Sequence, residues 1–206
     1  MIKRYKIKKF RRINTGYTII ETMIAVSLFI IIVMAGMGAL LNANLLHQKS
    51  QNMRSIMDSL SFMMEDMGRN LRTGYKYHCL TGNDNLSNVT IPLSCANGWG
   101  IAFESQNGSS VNNNDQWVYY IDNTGKIFKS TQGPYNDIIN HPYTQLTPDE
   151  VKIDSISGFS VLGAESIATN SQQPFVSIRL VGTITFKNVI TPFSLQTSVS
   201  QRLIDI

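Results

Sequence analysis

The order of hydrophobic and polar positions divides the chain into three regimes. From Thr22 to Leu41, twenty consecutive positions carry no charge and most are apolar. At about 1.5 Å rise per residue, a helix of that length spans a bilayer core of roughly 30 Å. Between Glu21 and Lys49 no charged residue occurs. From Asn42 the pattern becomes one-sided: Leu45, Leu46, Met53, Ile56, Met57, Leu60, Met63, Met64, Met67 and Leu71 recur at steps of three, four and seven. That spacing predicts one face of an amphipathic helix. Gln48, Lys49, Arg54, Asp58, Glu65 and Asp66 fall on the other face. The helix is expected to begin near Thr18 and to stop at Gly74, which makes it about 80 Å long. Its second half has no lipid around it, so the stripe needs a domain to cover it. Met57, Met63, Met64 and Met67 read as adaptable core packing. Gly36 and Gly38 weaken the helix by up to about 1 kcal/mol each relative to alanine. They read either as ordinary membrane-helix packing or as a place that melts when the helix leaves the bilayer.

Beyond the helix the period falls to two. Residues 74–97 read as an irregular connection, with turn residues Thr81-Gly82-Asn83-Asp84-Asn85 and Pro92. Gly100–Glu104 and Trp117–Ile121 read as strands, the second rich in β-favouring aromatics. Between them, Asn107–Asp115 is a polar loop. Asp122-Asn123-Thr124-Gly125 predicts a tight hairpin into Lys126–Lys129. Gly133–Pro148 is a second irregular stretch, in which His141 reads as a solvated histidine. Three longer apolar runs close the chain: Val151–Leu162, Phe175–Phe186 and Phe193–Leu203. Asn170–Pro174 links the first two and Asn188–Pro192 the last two. In the final run Phe193, Leu195, Thr197, Val199 and Gln201 alternate with polar residues, the pattern of a strand with one buried face. Several strands after one long helix predict an α+β fold with an antiparallel sheet packed on the helix.

Charge changes the picture at the N-terminus. Lys3, Arg4, Lys6, Lys8, Lys9, Arg11 and Arg12 precede the apolar run with no acid among them. Such a flank predicts an N-terminus on the cytoplasmic side of the membrane and the bulk of the chain outside it. The formal +4 depends on that leader: without these seven of 18 basic residues, eleven remain against 14 acidic ones, a formal −3. The remainder has no basic surplus for nucleic acid.

The chain's two cysteines, Cys79 and Cys95, fall on the exported side and close a short loop, which favours a disulfide. Two free thiols, or a zinc ligand pair with His78, are the alternatives; no third or fourth well-spaced ligand accompanies them. Asp84 with Asn83, Asn85 and Asn88 lacks the glycine and bidentate acid of a calcium loop and reads as a solvated turn. The Tyr-rich strand at 117–121 reads as half core and half sheet surface, with a sugar platform as the rival. No phosphate loop, metal motif or catalytic constellation stands out, so neither a cofactor nor an enzyme activity is expected.

At the junction of leader and span stands Gly16-Tyr17-Thr18-Ile19-Ile20-Glu21. A carboxylate at the mouth of a membrane span costs free energy and marks a functional residue whose partner has to be named. A secretory signal peptide has a shorter apolar region, and a plain signal anchor leaves Glu21 unexplained. Together, the basic leader, the glycine, the offset of the glutamate and the uninterrupted span resemble the processing site of type IV prepilins and type II secretion pseudopilins. The resemblance implies cleavage after Gly16 by prepilin peptidase. It also implies a new N-terminus at Tyr17, commonly methylated, where phenylalanine or methionine is more usual, and an assembly role for Glu21.

The expected divisions are then a cleaved leader at 1–16, a membrane and assembly half-helix at 17–41, an amphipathic half-helix at 42–73 and a globular β domain at 74–206. Met64–Arg72 and Ser194–Arg202 are similar to parts of the type II secretion J subunit and the W-type minor pilins. Within that resemblance, the size and the long sheet region favour a minor subunit that initiates a filament or sits near its tip. Its partners would be prepilin peptidase, other pilin or pseudopilin subunits, membrane lipid before assembly and the inner-membrane assembly platform. A type II secretion pseudopilin and a surface adhesin or DNA-uptake pilin are the alternative roles.

Overall fold

A computed structural model of the chain describes residues 16–82, 89–133, 143–165, 172–187 and 189–202. The leader up to residue 15, the turn around Asp84 and His141 lie outside the described residues. The chain divides into two units, Met1–Lys49 and Ser50–Ile206.

The first unit contains the start of α1 (Ile19–Thr73), a helix long and apolar enough to cross a membrane. Its large apolar side chains are exposed around the whole circumference, Ile19, Phe29 and Leu40 among them. A helix apolar on every side belongs in lipid or in a larger apolar assembly. Its hydroxyl residues look after themselves: Thr22 Oγ1 donates to Ile19 O at 2.8 Å and Ser27 Oγ to Ile24 O at 2.9 Å. Neither hydroxyl is then left unpaired where no water reaches.

The second unit takes up the amphipathic half of α1. Ile56, Leu60, Met63, Met64, Met67, Gly68 and Leu71 are buried, and Met53 and Met57 pack at the margin. Leu45 and Leu46, expected in the same stripe, are instead 55% and 68% exposed. The covered stripe therefore starts at Met53, about two turns later than the apolar spacing suggested.

Two five-stranded antiparallel sheets supply the cover. The strands are β1 (Tyr75–Leu80), β2 (Cys95–Gly98), β3 (Gly100–Glu104), β4 (Gln116–Ile121), β5 (Ile127–Ser130), β6 (Thr144–Gln145), β7 (Val151–Ile153), β8 (Gly158–Leu162), β9 (Phe175–Phe186) and β10 (Val189–Ser200). One sheet runs β1-β3-β4-β5-β6; the other runs β10-β9-β8-β2, with β7 also paired to β9. The α+β class and the antiparallel packing on the helix are as the sequence predicts. A main core joins the helix stripe to Tyr77, Phe103, Tyr119, Phe159, Ile178 and Leu180 from both sheets. A smaller cluster, Leu80, Val89, Ala102 and Val118, gathers under Trp99 and Tyr120.

Two expectations are corrected. The stretch at 74–97, read as irregular, holds β1 and β2. Lys76 adopts φ +52° and the β1–β3 register shifts between Tyr75 and His78, so the bulge erases the alternation that marks a strand. The link at 188–192 is mostly strand: β10 starts at Val189 and pairs with β9 along its length, from Val189 opposite Phe186 to Ser200 opposite Phe175. Lys187 at φ +44° turns the hairpin. Pro192 is tolerated because β10 is an edge strand, where a missing N–H leaves no ladder bond unmade.

Candidate assembly and processing site

The N-terminal end of α1 holds the residues singled out by the sequence motif. Gly16 and Tyr17 lie outside the helix, and Tyr17 is 82% exposed. Thr18 is the cap. Its carbonyl accepts from Thr22 N–H at 3.2 Å, and its carbonyl and Oγ1 accept from Glu21 N–H at 3.1 and 3.4 Å. Ile19 is thus the first helical residue and Glu21 the third. Thr18-Ile19-Ile20-Glu21 has the spacing of a capping box, a signal legible in the sequence but passed over there. The carboxylate sits in the first turn, where the partial positive charge of the helix N-terminus favours an acid. The bond expected to be cut after Gly16 therefore lies in exposed, non-helical backbone just ahead of the helix start. Among the described residues other than its chain neighbours, none comes within 4 Å of where a Gly16 Cβ would stand.

The cysteine pair is joined: Cys79 and Cys95 form a disulfide with Cα atoms 5.9 Å apart. Cys79 is fully buried in β1 and Cys95 begins β2, so the bridge ties one sheet to the other. The bond fits because residue 98 is glycine; a Cβ there would stand 2.4 Å from Cys79 Sγ and 2.6 Å from Leu80 O. Neighbouring His78 has its Nδ1 2.6 Å from Ile91 O and is occupied by the backbone. Among the described residues, no group of three or more His, Cys, Asp or Glu side chains converges as a metal set.

The Tyr-rich strand is divided between core and surface. Tyr119 is buried, accepts from Asn70 Nδ2 at 2.9 Å and stacks on Phe103 at 5.9 Å. Tyr120 stacks on Phe128 at 5.4 Å and meets Tyr143 edge-on at 5.1 Å, so these rings are engaged with one another. Lys129 couples the sheet to the helix: its Nζ is 3.1 Å from Asp66 and lies over the Trp117 ring at 4.5 Å. Comparison of the chain with protein-family models, with curated proteins and with solved structures gives no match.

Proposed function

We propose that this chain is a minor pilin-like subunit, cut after Gly16 by prepilin peptidase and assembled through its N-terminal helix into a type IV pilus-like filament. One observation carries the reading. The helix is apolar on every side through residue 41, continues without a break into a stripe covered by antiparallel sheets, and has a single carboxylate in its first turn. Membrane storage uses the first feature, and a filament core of side-by-side helices reuses it. Cleavage places a positive amine on Tyr17. In a dry core that charge costs several kcal/mol unless it is paired. Glu21 lies four residues on, about 6 Å along the helix. Its carboxylate meets the amine of a neighbouring subunit displaced by about that step, which cancels both charges and fixes the register.

Two variants test the two halves of the reading. Gly16→Val crowds the scissile bond and leaves the chain uncut when it is expressed with prepilin peptidase, as intact mass reports. Glu21→Leu is cut and inserted normally, yet fails to enter filaments on immunoblots of membrane and filament fractions. A filament-fraction chain beginning at Met1 refutes cleavage. Normal incorporation of the Leu variant refutes charge pairing.

A further inference from the structure

The β3–β4 hairpin buries an acid with no cation in contact. Glu104 ends β3, opposite Gln116 at the start of β4 and Tyr75 at the start of β1. Glu104 and Gln116 are each only 1% exposed. Gln116 Nε2 donates to Glu104 Oε1 at 2.8 Å, which satisfies one oxygen of the carboxyl group. Glu104 Oε2 is closed to solvent and accepts a hydrogen bond from no protein group. A buried carboxylate with an unpaired oxygen and no cation beside it favours taking up a proton. Oε1 is already an acceptor, so the proton belongs on Oε2. There it cancels the charge and turns the unpaired acceptor into a donor.

The groups around Glu104 favour the same state. Half-buried Asp115, next to Gln116, opposes a second negative charge. β1 contributes Tyr75, a phenol whose own ionisation both carboxylates oppose, and Lys76, whose charge acts the other way. Lys76 Nζ stands 3.4 Å from Ser110 O, and among the described residues neither carboxylate takes part in an ion pair. β4 brings the uncharged Gln116, and Gly74, which follows α1, lies against the Glu104 carbonyl with no side chain. Burial, with the Asp115 charge, raises the Glu104 pKa above its ordinary 4.5, against the Gln116 hydrogen bond and Lys76.

The 105–115 loop closes over this group. Glu104 Oε2 lies 2.9 Å from where a Cβ on Gly108 would stand. Ser109 N–H donates to Asp115 Oδ2 at 2.8 Å, and the Tyr75 hydroxyl donates to Gly108 O at 2.7 Å. The tip of the loop faces solvent, with Val111 90% exposed. Lifting the loop lets water reach an ionised Glu104, and such a local opening costs less than unfolding the sheets. We propose that Glu104 carries a proton in the closed domain and that its ionisation, as pH rises, loosens the 105–115 loop, so that the pair with Gln116 is a pH-sensitive latch. The closed domain holds a proton that the unfolded chain gives up at the ordinary value. Its stabilisation is therefore complete below about pH 4.5 and is lost as pH rises through the higher value of the folded state. The latch does not depend on the filament reading.

The test uses the full chain in mild detergent, from about pH 4 to about pH 8. The carboxyl carbon resonance of Glu104, identified by its loss in Glu104→Gln, reports the proton directly and should titrate above 4.5. Hydrogen exchange over residues 105–115, corrected for its intrinsic pH dependence, reports the loop. Its protection should fall about tenfold across this range in the wild type. Glu104→Gln keeps the shape and is neutral at every pH, so its protection should stay constant. Its Tm should lie at least about 3 °C above wild type at about pH 8 and within about 1 °C of it at about pH 4. Asp115→Asn leaves Glu104 in place but removes the repelling charge, and should move the fall in protection to lower pH. A Glu104 carboxyl that titrates at or below 4.5 overturns the proposal. So does loop protection that falls equally in the wild type and in Glu104→Gln.

Discussion

Removing the Cys79–Cys95 bridge tests how the two sheets are held together. The perturbation is the double variant Cys79→Ala/Cys95→Ala, compared with wild type in the presence and absence of reductant. The cysteines are 16 residues apart and the bridge joins β1 of one sheet to β2 of the other. Closing a loop of that length removes about 3 kcal/mol of denatured-state entropy on the chain-entropy model. Native packing changes less: Cys79 is fully buried, and its replacement by alanine leaves a small gap beside Gly98. The expected loss is therefore about 3 kcal/mol, or roughly 6–12 °C in Tm for a domain of this size. Urea unfolding of the full chain in mild detergent measures it. The chain's two tryptophans, Trp99 and Trp117, both lie in the sheet domain and report it alone. The denaturant slope rises as well, because the unlinked denatured chain exposes more surface. Reduced wild type should behave like the variant. A midpoint unchanged by reductant, with the thiols shown to be free, would refute the reasoning, since the bridge would then constrain nothing that unfolding releases.

Two further outcomes follow from the packing at the end of the helix. Gly74→Ala places a Cβ 2.4 Å from Phe103 Cδ2 and 3.0 Å from Glu104 O, so it should cost about 1–3 kcal/mol in urea unfolding; a loss under about 0.5 kcal/mol would show that Phe103 gives way freely. Burial raises the hydroxyl pKa of Tyr77 and of Tyr119 above the ordinary 10.0, and pushes that of Tyr143 up to about 12. The fold holds these phenols neutral, so their contribution is complete below about pH 10 and is lost as pH climbs from there toward the raised values. Urea midpoints should be flat from pH 8 to 10 and fall beyond it. Tyr77→Phe should shallow that fall while lowering stability at pH 8 by about 1–3 kcal/mol, because the Leu71 and Gly74 carbonyls lose their buried donor.

What was legible in the sequence is what burial on one face writes as a period. The helix through the apolar run at 22–41, the stripe from Ile56 to Leu71, the β4–β5 hairpin and the alternation of Phe193, Leu195, Thr197 and Val199 all stand where the pattern puts them. The misses occur where another constraint broke the period. The left-handed Lys76 hid β1, and Pro192 made an edge strand look like a link. Leu45 and Leu46 continue the helical spacing, but spacing does not say where the sheets end. Stopping the helix at Gly74 was right, though for a different reason. Its φ is not in the left-handed region, and the position is set by Phe103 lying too close for any side chain. Glu104 and Gln116 stand twelve positions apart in the sequence, and the β3–β4 register alone brings the acid opposite the amide.

The order in which this core is built has a consequence for the cell that makes it. The buried stripe of α1 is among the first parts of the domain to leave the ribosome, yet part of its cover comes from β10, near the end of the chain. Gly68 packs under Val199, Leu195 and Val199 lie against the same core, and Arg202 N–H donates to Arg72 O at 2.8 Å. At about 5–20 residues per second, synthesis leaves on the order of ten seconds between the stripe and its last strand. Throughout that interval a methionine-rich apolar face lacks part of its cover. A truncation that removes β10 should therefore leave part of the stripe uncovered and turn it into an aggregation site.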